Sequence, residues 1–357
     1  MTIRVALLSF AHGHQFHWAK AFQEHEHAEM VVAWDHDVQR GRQGAAQVGV
    51  EFNEDLSVVL QDPTIDAVAV CSETARHADL VRAAAAAGKH VLCEKPTALA
   101  LADVDAMQAV VERAGVHYMQ AFPQRHLASN QKLLEIVRSG VLGDVSLVRK
   151  RHGHGYGLDN LESNMPWIVD AEQAGAGAFF DEGVHECDVL RWLLGDPLSV
   201  TAMVSRTLPQ AEAWGLDTVG AAIFRFPEGV LASLEAAWTW VAGGPTTEIY
   251  GSSGTLVQSF TDVASNRQPL PGAQNLQLYL EAEKERGWQT MSCASPFAGA
   301  HRTVARTFVD ALTDERAMPV TLADGRAALE MMLGAYTAAE QRREVTFPLK
   351  NDDKLSF

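Results

Sequence analysis

Cysteine is scarce in this sequence, with four residues among 357 and no CxxC pair. Widely spaced cysteines are typical of buried thiols in a reducing compartment, and they argue against a disulfide framework or a zinc knuckle. Long apolar runs are also missing: none reaches about 18 residues, and the first residues show neither a basic segment nor a cleavage site. We therefore expect a cytoplasmic protein.

Positive charge is scarce as well. Lysine and arginine number 29 against 45 acidic residues, which gives a formal net charge of −16. This balance disfavours nucleic acid and anionic membranes as main partners, because the averaged field repels both. The remaining composition is that of an ordinary globular protein, and the length predicts two domains.

Glycine is missing where a dinucleotide-binding turn would need it. The pattern predicts a strand over 3–9 and a helix over 15–25, joined by a turn of Ser9, Phe10, Ala11, His12, Gly13 and His14. A Gly-x-Gly-x-x-Gly turn lets the backbone approach a pyrophosphate at the helix N-terminus, whereas here only Gly13 is a glycine. The motif is not matched, but a strand, turn and helix of small residues remain.

Asp35 follows the second predicted strand, 30–34. In a dinucleotide-binding domain, an acidic residue about 20 residues past the turn accepts hydrogen bonds from the adenosine ribose. Its charge also repels a 2′-phosphate, so Asp35 favours NAD over NADP. An acid that merely ends a strand is the alternative.

Strand and helix patterns alternate up to residue 122, which predicts an α/β domain with a doubly wound parallel sheet. An apolar strand at 91–93 ends at Glu94-Lys95-Pro96, where proline prevents further ladder pairing. Lys95 therefore lies at the carboxyl end of a strand, where open parallel sheets bind ligands. A solvated Glu94–Lys95 pair at a strand exit is the alternative.

Strands without regular intervening helices follow from about residue 145. They are predicted over 145–149, 199–206, 221–226, 230–238 and 248–250. This pattern predicts an α+β second domain, 123–357, with a large and mostly antiparallel sheet after a first domain at 1–122. The stretch 261–297 has no clear pattern.

Asp181 and His185 are four residues apart, so on a helix they share one face. A carboxylate beside an imidazole can orient the ring and raise its basicity. Such a histidine can take the hydroxyl proton while a secondary alcohol loses hydride. The alternative is a helix cap at Asp181 with a packed His185.

His152 and His154 point to the same side if their segment is a strand. The favoured hypothesis is that they line a ligand pocket as hydrogen-bond partners. With Glu182 or His185 they could instead form a metal site, and plain surface roles remain open. Trp167 suits either stacking on a sugar face or buried packing.

Several of these segments together resemble the glucose-fructose oxidoreductase / inositol dehydrogenase / MocA (Gfo/Idh/MocA) family. The resemblance rests on the segment from Ser72 and Glu73 to His77, on Gly88-Lys89-His90-Val91 with Glu94-Lys95-Pro96, and on Arg125 with Gly140-Val141-Leu142-Gly143-Asp144. Glu73 stands where the family usually has proline, and Glu182 adds a carboxylate beside Asp181.

The resemblance implies an N-terminal Rossmann-type domain that binds NAD, with NADP disfavoured, and a homodimer or homotetramer. It implies that Lys95, His185 and Asp181 are catalytic. The implied cofactor-binding residues are those of the turn from Ser9 to His14 together with Asp35, Ser72, Glu73, His77, Glu94 and Lys95. The implied substrate-binding residues are Lys95, Arg125, His152, His154, Trp167, Asp181 and His185.

The expected function is hydride transfer between the nicotinamide and a secondary hydroxyl of a sugar, inositol or related polyol. One alternative is an NAD-using glycosidase that acts by transient oxidation and elimination. Another is a non-catalytic dinucleotide-binding sensor, although retention of Lys95, Asp181 and His185 argues against it.

Overall fold

A computed structural model of the chain describes residues 2–159, 161–241, 245–259, 276–291, 293 and 297–349. The chain divides into two compact units. The first comprises Met1–Pro123, Glu172–Gly175 and Gly299–Arg326, and the second comprises Gln124–Ala171, Ala176–Ala298 and Ala327–Phe357. A single boundary at residue 122 does not describe this division, because the chain returns to the first unit twice.

The first unit is built on a six-stranded, all-parallel sheet. Its strands are β1 (Ile3–Leu8), β2 (Ala28–Trp34), β3 (Glu51–Phe52), β4 (Ala67–Val70), β5 (His90–Cys93) and β6 (Tyr118–Gln120). Its helices include α1 (His14–Gln23), α2 (Val38–Val48), α3 (Leu56–Gln61), α4 (Thr74–Ala86) and α5 (Leu101–Ala114). The central strands β1 and β4 are apolar and almost entirely buried, as expected for a parallel sheet covered on both faces.

The order of the strands in this sheet is β3-β2-β1-β4-β5-β6. The direction in which the chain adds strands therefore reverses between β1 and β4. In doubly wound sheets, ligands bind at the carboxyl ends of the strands at such a switch point. The turn after β1 and the segment after β4 flank that point in this chain.

A distant part of the chain completes the core of the first unit. Trp18 on α1 belongs to one apolar cluster with Val304 and Phe308. The latter two lie on α11 (Phe297–Thr313). This packing explains why the late segment Gly299–Arg326 belongs to the first unit.

The second unit is built on a nine-stranded sheet in the order β14-β13-β12-β11-β7-β10-β9-β8-β15. The strands are β7 (Val145–Gly153), β8 (Ser199–Ser205), β9 (Val219–Arg225), β10 (Leu231–Ala237), β11 (Pro245–Gly251), β12 (Gly254–Ser259), β13 (Leu276–Leu280), β14 (Gln289–Met291) and β15 (Val345–Thr346). Every pair is antiparallel except β7 with β10, which is parallel. The predicted mostly antiparallel sheet is confirmed.

The helices in this later part of the chain are α6 (Ala128–Arg138), α7 (Leu161–Asn164), α8 (Ala171–Ala174), α9 (Ala178–Leu194), α10 (Ala211–Trp214) and α12 (Leu322–Gln341). Helix α9 packs on β7, β9 and β10 at the centre of the sheet. The strand predicted over 145–149 continues to Gly153. The stretch 261–297 lies partly outside the described residues, and its described part contains β13 and β14.

The structure also describes the four cysteines and the most apolar helices. All four cysteines are free thiols, and Cys71, Cys93 and Cys187 are buried. Among the described helices, none is both long and apolar enough to cross a membrane.

Candidate active site

The turn after β1 is built by hydrogen bonds in place of the missing glycines. Ser9 has a φ of 74°, a left-handed conformation that favours glycine. The amide of Phe10 donates to Asp35 Oδ2 at 2.8 Å, and the amide of Ala11 donates to Ser9 Oγ at 3.2 Å. Asp35 therefore holds the turn as well as ending β2.

The N-terminus of α1 follows this turn, with Gly13 as its N-cap residue. A Cβ atom added at Gly13 would meet no heavy atom of the described residues within 4 Å. The amide of His12 donates to Cys71 O, just past β4, and the amide of His14 donates to His12 Nδ1, both at 3.2 Å. The open space at Gly13 fits a phosphate approaching the helix N-terminus.

Asp35 is buried and forms a bidentate pair with Arg40. Arg40 Nε and Nη2 donate to the two carboxylate oxygens at 2.8 and 2.7 Å. Arg40 Nη1 also lies 2.9 Å from Glu73 Oε1, so one guanidinium joins the residues that follow β2 and β4. Burial raises the pKa of Asp35, but Arg40 and the Phe10 amide outweigh it and hold the pKa below its ordinary value. Contact of Asp35 with the adenosine ribose stays a prediction.

Glu94 and Lys95 follow β5, and both are buried, so the alternative of a solvated pair is wrong. Glu94 Oε1 accepts the Lys95 amide at 2.9 Å, while Glu94 Oε2 lies 3.0 Å from His14 Nδ1. Gln120 Nε2 donates to the Glu94 carbonyl at 3.0 Å. These contacts fix the backbone from which the Lys95 side chain projects.

Ser72 and His77 connect the ends of β4 and β5. His77 Nε2 lies 3.1 Å from Ser72 O, and His77 Nδ1 lies 2.7 Å from Pro96 O. Burial lowers the pKa of His77. These contacts make His77 a positioning residue for both segments, and its contact with a cofactor stays a prediction.

Four histidines gather at the N-terminus of α1. The ring centroid of His14 lies 3.9 Å from that of His12 and 3.8 Å from that of His301 on α11, and His17 lies 5.7 Å from His301. Burial, followed by the neighbouring His14, lowers the pKa of both His12 and His301 well below the ordinary value. His301 therefore adds a neutral ring that was not predicted from the sequence.

Helix α9 is held in the second unit by a carboxylate from outside the helix. Asp217 accepts the amides of Gly177 and Phe179 at 3.1 and 2.8 Å. Gly177 is the N-cap residue, and Asp181 lies within the first turn. The alternative of a helix cap at Asp181 is therefore wrong, and the cap comes from the loop before β9.

Asp181 and His185 both lie on α9 and both are buried. Asp181 Oδ2 accepts Trp238 Nε1 at 3.2 Å. The ring of His185 lies 5.5 Å, centroid to centroid, from that of His152. The helix thus brings the predicted base next to His152 on β7, which His154 follows just after the strand ends.

His152 and His154 do point to the same side, and Glu182 receives both. His154 Nε2 lies 2.6 Å from Glu182 Oε1, and His152 Nε2 lies 3.3 Å from Glu182 Oε2. His152 Nδ1 lies 2.9 Å from Glu186 Oε1, and Lys150 Nζ lies 2.9 Å from Glu186 Oε2. Burial lowers the pKa of His152, but the two carboxylates outweigh burial and raise it.

Arg125 and Trp167 are both buried in the second unit. Arg125 Nε and Nη2 donate to the carboxylate of Asp188 at 2.8 and 2.6 Å, and both residues are buried. Trp167 is also buried, in a short 3-10 helix. Substrate contacts by Arg125 and Trp167 stay predictions.

Several site residues were not predicted from the sequence: Arg40, Lys150, Glu186, Asp217 and His301. Glu186 had a local signal, because it lies one helical turn after Glu182 on α9. Arg40 also lies close in sequence to Asp35. Lys150 also had a local signal, because it lies two residues before His152 on β7 and so shares its face. Asp217 and His301 come from separate elements, and no spacing in the sequence links them to the site.

Comparison with known proteins defines the class of this fold and site. Residues 3–122 match the family described as "Oxidoreductase family, NAD-binding Rossmann fold", and residues 130–257 match the "GFO/IDH/MocA C-terminal domain". The chain belongs to the GFO/IDH/MocA family of oxidoreductases. The predicted family, the two-part fold and the NAD-binding class are confirmed.

Individual relatives are similar over most of their length. Myo-inositol 2-dehydrogenase of Thermotoga maritima is 28% identical over 315 residues, which cover 86% of this chain and 87% of the relative. Inositol 2-dehydrogenase of Rhizobium meliloti is 25% identical over 97% of this chain and 99% of the relative. A solved structure of levoglucosan dehydrogenase with NADH and levoglucosan has a TM-score of 0.84 at 22% identity, covering 98% of this chain and 100% of that one.

Proposed function

We propose that the protein is an NAD-dependent dehydrogenase that oxidises a secondary hydroxyl of an inositol, sugar or related polyol, or reduces the ketone. The observation that carries the proposal is that the chain has Lys95 together with Asp181 and His185, the residues that the resemblance assigns to catalysis. Lys95 is buried at the carboxyl end of β5, and Asp181 and His185 share α9. The names of the inositol dehydrogenase relatives support a polyol substrate.

The residues at the switch point fit NAD. Gly13 leaves open space at the N-terminus of α1, where the helix dipole favours a pyrophosphate. Asp35 supplies a buried carboxylate just after β2, where it pairs with Arg40. When bound, NAD supplies a hydride acceptor.

The proposed roles of the chain's own residues follow from their chemistry. Lys95 stabilises negative charge that develops on the reacting oxygen, an electrostatic effect that is often the largest contribution to catalysis. His185 accepts the hydroxyl proton at a ring nitrogen. Asp181 acts as a positioning residue for the imidazole. His152 and His154 contribute hydrogen-bonding groups to the substrate side.

The test is NADH formation from a panel of inositols, sugars and polyols, measured by absorbance. We expect one class of polyol to be oxidised by the wild type. Lys95→Ala should lose on the order of 10²- to 10³-fold in kcat/KM, because it removes one charge-stabilising group. Lys20→Ala, an exposed lysine on α1 that pairs with Glu24, is the matched control and should leave the rate unchanged.

Two other outcomes would contradict the proposal. Cleavage of a glycoside by the NAD-bound protein without net NADH would favour the glycosidase. Tight NAD binding with no turnover of any polyol would favour a sensor.

We further propose a homodimer or homotetramer in the cytoplasm. Met203 on β8 and Ile223 on β9 lie on one exposed face of the second unit's sheet, 80% and 52% accessible, where contact with another copy would bury them. The free thiols support a reducing compartment. Light scattering that shows only a species of 38.8 kDa would contradict the oligomer.

A further inference from the structure

The group formed by His152, His154 and Glu182 has the composition and convergence of a metal site. The Nε2 atoms of both histidines approach different oxygens of one carboxylate, at 3.3 and 2.6 Å. One candidate ligand atom from each of the three residues lies within 4.8 Å of the others. All three side chains are buried, so bulk water does not compete for them.

His152 places its two ring nitrogens against two different carboxylates. Nδ1 lies 2.9 Å from Glu186 Oε1, and Nε2 lies 3.3 Å from Glu182 Oε2. The ring therefore directs Nε2 at the carboxylate that His154 also contacts.

Glu186 and Lys150 form the outer layer that metal-binding histidines commonly have. Lys150 Nζ contacts Glu186 Oε2 at 2.9 Å and donates to Thr247 Oγ1 at 2.9 Å. Glu186 therefore lies between Lys150 and His152, with one oxygen 2.9 Å from each. A carboxylate behind a histidine sets the tautomer and orients the ring toward a metal.

We propose that His152, His154 and Glu182 bind a divalent transition-metal ion of the Zn²⁺ class through the two Nε2 atoms and a carboxylate oxygen. Two imidazoles and one carboxylate are ligands that zinc accepts, and three protein ligands leave a fourth position for an oxygen ligand. Glu186 is a positioning residue for this site. Because the proposed function assigns His152 and His154 to the substrate side, the ion would lie among the proposed substrate-binding residues.

Two of the separations between ligand atoms, one to each oxygen of Glu182, can be compared with those of a zinc site. Zinc–nitrogen and zinc–oxygen bonds of about 2.0–2.2 Å in a tetrahedron separate ligand atoms by about 3.3–3.6 Å. The His152–Glu182 separation of 3.3 Å already lies in this range. The His154–Glu182 separation of 2.6 Å must open by less than about 1 Å.

The first experiment measures Zn²⁺ content and Co²⁺ absorption of the full chain after removal of metal by a chelator. We expect wild type to bind one equivalent of either ion and to show visible d–d bands with Co²⁺. His154→Gln and Glu182→Gln should lose both. Glu186→Gln should weaken binding by about 10- to 100-fold, because it removes the partner that orients His152.

The matched control is His27→Gln. His25 and His27 have the same two-residue spacing and are partly exposed in the first unit, so this variant removes a histidine without touching the site. It should keep the full metal content. Equal loss in His27→Gln and His154→Gln would overturn the proposal, as would a wild type that binds no more Zn²⁺ than His154→Gln.

A measurement on the wild type alone keeps the proposal testable if the variants fail to fold. X-ray absorption at the zinc edge of the loaded protein should show two imidazole ligands and oxygen. A spectrum without imidazole ligands would overturn the site. Metal binding without polyol oxidation would leave this site intact and refute only the proposed function.

Discussion

Glu94 Oε2 lies 3.0 Å from His14 Nδ1, so the first residue of α1 contacts the residue immediately before Lys95. The other oxygen of Glu94 accepts the amide of Lys95. One buried carboxylate therefore links the turn after β1 to the end of β5. A substitution at His14 should therefore change the position of Lys95, because Glu94 contacts both residues.

The first prediction concerns His14→Ala. The variant loses one hydrogen bond to the charged Glu94, which is worth about 1.5–3 kcal/mol. Because this bond helps to hold the turn after β1 and the end of β5 in place, the Kd for NAD should rise and kcat should fall. Calorimetric titration with NAD and steady-state kinetics measure the two effects. His17→Ala, an exposed histidine one turn along α1, is the control, and equal effects from both variants would refute the link.

The second prediction concerns Gly13→Ala. The added Cβ meets no described heavy atom within 4 Å, so the thermal stability should be unchanged. If a phosphate approaches this point, the methyl group excludes it and the Kd for NAD should rise by about tenfold or more, since 1.4 kcal/mol is a factor of ten. Gly299→Ala on α11, which is equally open, should leave the Kd unchanged. An unaltered Kd in Gly13→Ala would place the pyrophosphate elsewhere.

The third prediction concerns cofactor choice at Asp35 and Arg40. Asp35→Asn removes the carboxylate that repels a 2′-phosphate and releases the Arg40 guanidinium to pair with one. The Kd for NADP divided by the Kd for NAD should fall by about 10- to 100-fold. This range corresponds to a charged hydrogen bond of about 1.5–3 kcal/mol between Arg40 and the 2′-phosphate. In Asp35→Asn combined with Arg40→Gln the gain toward NADP should disappear. A gain that survives would show that Arg40 does not contact the phosphate.

The fourth prediction concerns the pH dependence of stability. The pKa of Asp35 is lower in the folded protein than its ordinary value of about 3.9, so the unfolded chain takes up the proton first as pH falls. The stabilisation by the pair with Arg40 is therefore complete above about pH 4 and is lost as pH falls through the folded pKa. Asp35→Asn should lower the free energy of unfolding by about 2 kcal/mol at neutral pH. This value is smaller than that of a fully buried ion pair, because the Arg40 side chain is 26% exposed.

Urea unfolding of wild type and Asp35→Asn at several pH values measures this difference. The difference should shrink below about pH 4. Asp37→Asn removes a carboxyl from the same segment while keeping an N-capping oxygen for α2, and it serves as the control. A difference that stays constant down to the acid limit would refute the depressed pKa.

The sequence determined the fold class and the position of Lys95. Strand and helix periodicities are local properties, so alternation up to residue 122 and strand runs after residue 145 were enough to predict a parallel and a mostly antiparallel sheet. Proline at 96 ends β5 for a local reason also, since it cannot pair in a ladder. The spacing of Asp181 and His185 placed both on one helix.

The tertiary structure decided what those residues contact. The Arg40–Glu73 pair, the Asp217 cap on α9 and the ring of His301 beside His14 join groups that no periodicity connects. Such contacts depend on how elements pack, because a side chain's burial and partners come from neighbours distant in sequence. For the same reason the sequence left His152, His154 and Glu182 with several possible roles, and only packing of α9 on β7 brought them to a single point.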